Sequence, residues 1–244
     1  MHSGTFHIRA AGSAVFGLRL CAALLAERAA APLRISTDHG HAIRDAVAAG
    51  AFTGDILALP AAMIDWLASR GWVAGPAVPL GSVGIGAVTR AGCPLPDLRD
   101  VAALGEALRA ADAVLLTRAP SGEHLLAAIA RLGLSGEVSR KLHRFATATL
   151  LNDALAASRF ARPIGFAPIT EILCWRWGQA GSAADAPASP GIAFAGEVPA
   201  EIQDRVPYAA AMLAATPMPE AAQRVLAALE EKAAATAFRR TGMQ

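Results

Sequence analysis

The chain has 244 residues, 54% of them hydrophobic, and a mean hydropathy of +0.39. Sixty are alanine, however, and the longest apolar window, residues 14–31, carries Arg19, Glu27 and Arg28, so no stretch supplies the roughly 18 uninterrupted apolar residues of a spanning helix. That much apolar material excludes disorder, and 22 basic residues dispersed against 20 acidic ones, for a net charge of +2, exclude the basic stripe or tail of a nucleic-acid binder.

Residues 6–9 alternate and run into Ala-Ala-Gly-Ser, which predicts a strand and a tight turn, with Ser13 as N-cap of a helix over 14–30. Pro32 ends that helix, and residues 33–36 predict a second strand. Asp38-His39-Gly40-His41 is read as a turn and 42–49 as a short helix stopped by Gly50. Residues 55–59 predict a buried strand, and 63–70 a helix closed by Gly71. Residues 82–89 are read as one long strand whose glycines permit bending, followed by Pro94, Pro96 and a helix near 100–110. A strand at 113–117 leads into a helix from Pro120 to Leu132, closed by Gly133. A helix at 149–158 precedes a short strand at 163–167. Residues 181–191, rich in Gly, Ala, Ser and Pro, predict an exposed loop. Residues 208–215 predict a strand, and 219–238 a single amphipathic terminal helix. The alternation of strands with helices predicts an α/β fold with largely parallel sheets.

Cys21, Cys93 and Cys174 stand far apart and fit neither a metal spacing nor a disulfide framework. Residues 1–13, with His2, His7 and Arg9 and no apolar run, are not read as a secretory signal. As written the chain is expected in the cytoplasm, and in the periplasm if a leader has been removed.

Three turns share one design, a strand end, small residues and a helix start: Ala11-Gly12-Ser13, Asp38-His39-Gly40-His41 and Pro120-Ser121-Gly122. Helix N-termini present unpaired N–H groups and a positive dipole end, so such turns suit a small anion. His39 and His41 flank Gly40, and His124 lies one turn beyond Ser121. No metal or cofactor is expected, because the histidines lack a third ligand at a recognisable spacing. Gly81-Ser82-Val83-Gly84-Ile85-Gly86 sits within a predicted strand and is not a dinucleotide fingerprint. Glu171 follows the strand at 163–167, with Trp175 and Trp177 close behind it.

Taken in order, these pieces resemble the periplasmic molybdate-binding proteins, type II solute-binding proteins of ABC transporters. The matching segments are Ala10-Ala11-Gly12-Ser13, Gly54-Asp55-Ile56, the run from Arg90 to Leu98, Pro120-Ser121-Gly122 with Leu132-Gly133, and Pro163-Ile164-Gly165 with Thr170-Glu171-Ile172. The run from Gly196 to Glu201, Val206-Pro207-Tyr208 and the run from Phe238 to Gly242 complete the series. The resemblance implies two α/β lobes, about 1–80 plus 207–244 and 81–206, with crossing strands near 81–90 and 204–215 and a ligand cleft between the lobes. It implies a small anionic ligand, an ABC permease as partner if the chain is exported, and no nucleic acid or membrane insertion. By the resemblance Ser13, Ser121 and Gly122 hold the ligand; with the residues of the three turns the candidate ligand-binding set is Gly12, Ser13, His39, Gly40, His41, Ser121, Gly122 and Thr170, and Arg9, Arg44, Arg118 and His124 are candidate anion clamps.

The chain departs from the family pattern at two places. Asp38-His39-Gly40-His41 stands where the family has serines, and Pro168 where the molybdate binders carry a tyrosine hydroxyl. Arginine and histidine suit a carboxylate through charge-assisted bonds. One alternative on the same scaffold is therefore a cofactor-free isomerase of a small polycarboxylate, similar to aconitate isomerase, with His39, His41 or Glu171 as base. Another is a cytoplasmic ligand sensor.

Overall fold

A computed structural model describes residues 4–176 and 191–244. His2, Trp177 and all but the last residue of the loop read at 181–191 lie outside the described residues. The chain divides into two compact units, Met1–Val83 with Val206–Gln244, and Gly84–Arg205.

The first unit contains β1 (Phe6–Ala11), α1 (Gly12–Leu20), α2 (Ala22–Ala29), β2 (Leu33–Asp38), α3 (Gly40–Ala48), β3 (Ile56–Pro60), α4 (Ala61–Ala68) and β4 (Val73–Val83), and, after the second unit, β10 (Val206–Leu213), α10 (Pro219–Leu229) and α11 (Lys232–Arg240). Its sheet has the order β2-β1-β3-β10-β4. β1 is parallel to β2 and β3, whereas β10 is antiparallel to both β3 and β4, so four of the five strands point the same way. The apolar run of β3 is continuous because both faces are covered. Ile56 and Ala58 pack with Phe6, Ile8, Leu18, Leu25, Val225 and Phe238, and Leu57 and Leu59 pack with Ile43, Ile64 and Leu67 on the opposite face. Buried Asp55 ties the strand ends together. Its carboxylate accepts the His7 backbone N–H at 2.8 Å and the Thr216 hydroxyl at 2.5 Å.

The second unit contains β5 (Ile85–Arg90), α5 (Val101–Ala110), β6 (Ala113–Thr117), α6 (Pro120–Arg131), α7 (Ser135–Ser139), β7 (Leu142–Phe145), α8 (Ala148–Ala157), β8 (Pro163–Pro168), α9 (Ile169–Leu173) and β9 (Ile192–Glu197). The sheet order is β7-β6-β8-β5-β9. β6 runs parallel to β7 and β8, and β5 antiparallel to β8 and β9, so again four of five strands share a direction. Val114 and Leu116 face Leu104, Leu108, Leu125 and Ile129, while Ala113 and Leu115 face Leu151, Leu155, Ile172 and Trp175. The start of β5 is fastened by Gln203, whose amide oxygen accepts the Ile85 N–H at 2.7 Å and whose Nε2 donates to the Ile85 carbonyl at 3.0 Å.

Three expectations about these elements are corrected, and some elements went unforeseen. The strand read over 82–89 is the end of β4 and most of β5, which belong to different sheets and are interrupted at Gly84. The helix read over 14–30 breaks at Cys21, whose thiol turns back to the Gly17 carbonyl at 3.2 Å. The terminal helix breaks between α10 and α11 at Glu230 and Glu231. Most of β4, all of β7 and all of β9 were not foreseen, nor was the short α7. Each of those three strands is an edge strand of its sheet; β4 tolerates Pro76 and Pro79 because a proline costs little where one side of the ladder has no partner.

Candidate functional site

Because four strands per sheet point one way, the turns that follow their carboxyl ends gather along one edge of each unit. In the first unit these are β1 to α1 at Gly12, β2 to α3 at His39 and β3 to α4 at Ala61. In the second they are β6 to α6 through Arg118-Ala119, β7 to α8 through Ala146-Thr147, and β8 to α9 at Ile169.

Ser13 and Ser121 are not N-caps. Their helices begin one residue earlier, at Gly12 and Pro120, and the capping positions are Ala11 and Ala119, which have no side-chain acceptor. Each serine is therefore the second helical residue, with Ser13 2% exposed. The arrangement leaves the first-turn N–H groups of α1 and α6 without a side-chain cap. α8, by contrast, is closed by the Thr147 hydroxyl, which accepts from the Leu150 N–H at 3.1 Å. Among the described helices only α5 and α8 have a side-chain cap, and an anion can complete the bonds of an uncapped start.

In the first unit, Asp38 closes the β2 turn on itself. One carboxylate oxygen accepts the His39 N–H at 2.8 Å and the other accepts Arg9 Nη2 at 3.0 Å. The His39 N–H first, and the Arg9 guanidinium after it, hold the Asp38 carboxyl below its ordinary range. Arg9, lying 5.0 Å from the centre of the Phe52 ring, thus already has a counter-ion. Arg44 is drawn to Asp45 at 2.6 Å and stacks over Trp66 at 5.2 Å. His39 and His41 are exposed, and Gly40 is half-buried beside Met63.

The second unit holds a denser feature. Among the described residues, seven buried side-chain polar atoms have no hydrogen-bond partner, and five belong to this edge: Thr117 Oγ1, Ser121 Oγ, Arg144 Nε, Asn152 Oδ1 and Thr170 Oγ1. Thr117 ends β6, Ser121 lies in the first turn of α6, Arg144 is in β7, Asn152 in α8 and Thr170 in α9. Thr117, Thr170 and Asn152 are at most 1% exposed. Buried polar groups are ordinarily satisfied, and each unsatisfied one costs about 1–3 kcal/mol, so this concentration of them is the candidate site of the second unit. Gly122 is essential to the turn, because a Cβ there would fall 2.1 Å from the Thr117 carbonyl oxygen and 2.9 Å from Thr117 Oγ1.

The remaining sequence-derived candidates of this unit are exposed or make other contacts. His124 Nε2 is 3.0 Å from the Ile202 carbonyl, and its Nδ1 lies 4.0 Å from Asp204. Arg118 is exposed, and its backbone N–H donates to the Phe145 carbonyl at 2.7 Å. Glu171 offers its carbonyl to Asn152 Nδ2 at 3.1 Å. Sequence reasoning missed Thr117, Arg144 and Asn152. The available signal for Arg144 was the alternation in Leu142-His143-Arg144-Phe145, where Leu142 joins the α5/α6 side of the sheet and Phe145 the α8 side. Among the described residues there is no group of three or more His, Cys, Asp or Glu side chains able to hold a metal ion, and no helix long and apolar enough to cross a membrane.

Two mixed five-stranded sheets flanked by helices have the architecture of a solute-binding-protein fold of the molybdate-binding type. The chain belongs to the bacterial extracellular solute-binding proteins, whose family model matches residues 6–244. Among solved structures it is similar to the Azotobacter vinelandii periplasmic molybdate-binding protein, with a TM-score of 0.74, 15% identity and 98% of each chain covered. It is similar also to the substrate-binding domain of a molybdenum ABC transporter from Clostridium difficile, with a TM-score of 0.73, 12% identity and 98% of each chain covered. The sulfate-binding protein of Mycobacterium tuberculosis gives a TM-score of 0.67 at 15% identity, over 98% of this chain and 86% of the other. A search of curated protein sequences finds no match. Identities this low establish the fold.

Proposed function

We propose that the chain is a solute-binding protein that takes a small anion at the carboxyl-end turns of its sheets. The observation that carries this reading is the cluster of buried, unpartnered hydroxyls at Thr117, Ser121 and Thr170 beside the uncapped start of α6. Hydroxyl and N–H donors together replace the water shell of an oxyanion or carboxylate, and the helix dipole favours negative charge by about 0.3–1 kcal/mol. The molybdate- and sulfate-binding proteins of the same fold support an anion as cargo. In this reading Gly122 and the three hydroxyls are the candidate ligand-binding residues of the second unit, and Gly12, Ser13, His39, Gly40 and His41 those of the first. Arg9 and Arg44, the candidate clamps of the first unit, rest against the carboxylates of Asp38 and Asp45. Working with an ABC permease in the periplasm is the accompanying expectation. No feature of His39, His41 or Glu171 favours a proton-transfer isomerase or a sensor over this reading.

A thermal-shift panel of molybdate, tungstate, sulfate, phosphate, citrate and succinate tests the proposal. A ligand at a hundredfold over its Kd stabilises the folded chain by about 2.7 kcal/mol. A midpoint unchanged by every member of the panel would count against it.

A further inference from the structure

Among the described residues, Arg144 brings a charge to the turn that holds Thr117, Ser121 and Gly122. Its side chain is only 20% exposed. Nη2 donates to the Thr117 carbonyl at 3.1 Å and also to the Glu123 carboxylate. Thr117 and Glu123 flank Ser121 and Gly122, and the Thr117 carbonyl lies against Gly122 itself, so the guanidinium sits over the first turn of α6. Nε, on the same edge of the guanidinium as Nη2, is buried without a partner.

A half-buried guanidinium whose Nε is buried without a partner is a costly arrangement unless something completes it. Glu123, 57% exposed, takes one prong only. The Nε–Nη2 edge of a guanidinium matches the two oxygens of a carboxylate, which it holds through two parallel bonds. We propose that Arg144 is the specificity-determining cation of the anion site and that Glu123 is its resting counter-ion. A ligand carboxylate displaces Glu123 and takes both prongs, while the hydroxyls of Thr117 and Ser121 receive its remaining polar atoms. The ligand class this selects is a small carboxylate rather than a fully ionised tetrahedral metal oxyanion, for which neutral donors suffice. The inference rests on the anion-binding reading above and narrows it.

The test is isothermal titration of the full chain and of the variants Arg144→Gln, Arg144→Lys and Glu123→Gln with citrate, succinate, malonate, sulfate and molybdate, with circular dichroism to verify folding. The expected result is that the wild type binds at least one of the carboxylates more tightly than it binds molybdate or sulfate. Arg144→Gln then loses at least tenfold in carboxylate affinity, Arg144→Lys is intermediate because it offers charge without the fork, and Glu123→Gln binds at least threefold more tightly. If Arg144→Gln fails to fold, Glu123→Gln decides, since it leaves the arginine in place and a merely structural role would not move the carboxylate-to-oxyanion ratio. Preferential binding of molybdate or sulfate, or equal carboxylate affinity across the folded variants, overturns the assignment of Arg144 while leaving anion binding intact. A wild-type chain that binds none of the five probes overturns the assignment together with the reading beneath it.

Discussion

Replacing Gly122 by alanine would place a methyl carbon 2.1 Å from the Thr117 carbonyl oxygen. Such contacts do not fall below about 3.0 Å in folded proteins, so the turn must open by roughly 1 Å, and the obstacle is backbone rather than a side-chain tip that could swing aside. The Arg144–Thr117 bond of 3.1 Å cannot survive a shift of that size. Overpacking of this kind costs about 1–3 kcal/mol, and loss of a hydrogen bond to a charged donor about 1.5–3 kcal/mol. The two overlap, because both arise from one displacement. The expected destabilisation is about 2–4 kcal/mol, or roughly 4–16 °C in the unfolding midpoint for a chain of this length. Thermal and urea unfolding followed by circular dichroism measure it, and titration with the wild type's best anion should show weakened binding. A Gly122→Ala chain with wild-type midpoint and affinity would refute the idea that this turn is built around a missing side chain.

Other outcomes follow from the same structure. The folded-state pKa of Asp38 is lowered, so its contribution is present above the unfolded value of about 3.9 and is lost as pH falls through the folded one. Asp38→Asn should therefore reduce stability near neutrality by about 0.2–1 kcal/mol, as for an exposed ion pair, and should leave it unchanged below the folded pKa; an equal loss at both pH values contradicts this. Burial pushes the Cys21 thiol up to about 11 and the Cys174 thiol up to about 12, so at pH 8 a thiol-disulfide reagent should modify the half-buried Cys93 first and the other two only on unfolding. Fast modification of two or more thiols in the native chain would contradict the burial. Gly17 faces Phe238, and an added Cβ would lie 2.1 Å from that ring. Gly17→Ala should cost about 1–3 kcal/mol, and its combination with Phe238→Ala should be less than additive in urea unfolding.

The strands legible from sequence were mainly those enclosed by neighbours. β3, β6 and β8 show apolar runs because residues on both faces are buried, and Gly or Pro marks their boundaries. The strands that escaped, β4, β7 and β9, are all edges, where half-exposed residues replace the apolar signature and prolines interrupt β4. Helix ends were legible where glycine takes positive φ, as at Gly50, Gly71 and Gly133. The breaks at Cys21 and at Glu230-Glu231 carry neither glycine nor proline, and the chain simply resumes a helix.

The candidate site was legible in outline and not in detail. The small-residue turns at Gly12-Ser13 and Ser121-Gly122 announced themselves, since few side chains fit between a strand end and a helix start. Thr117 looked like an ordinary strand residue, because nothing in sequence shows that a hydroxyl lacks a partner, whereas Thr170 was already among the expected ligand-binding residues. Arg144 was hidden by the four-residue strand that carries it, and Arg118, one residue past β6, seemed the natural cation. The fold exposes Arg118 and turns Arg144 under α6.

The most direct test of the central claim is calorimetric titration of the purified chain with small inorganic oxyanions and small carboxylates. Saturable binding of at least one of them at one site per chain, weakened by Ser121→Ala, Thr117→Val and Thr170→Val, is the predicted result. No heat of binding from any small anion, or binding indifferent to all three substitutions, would contradict it.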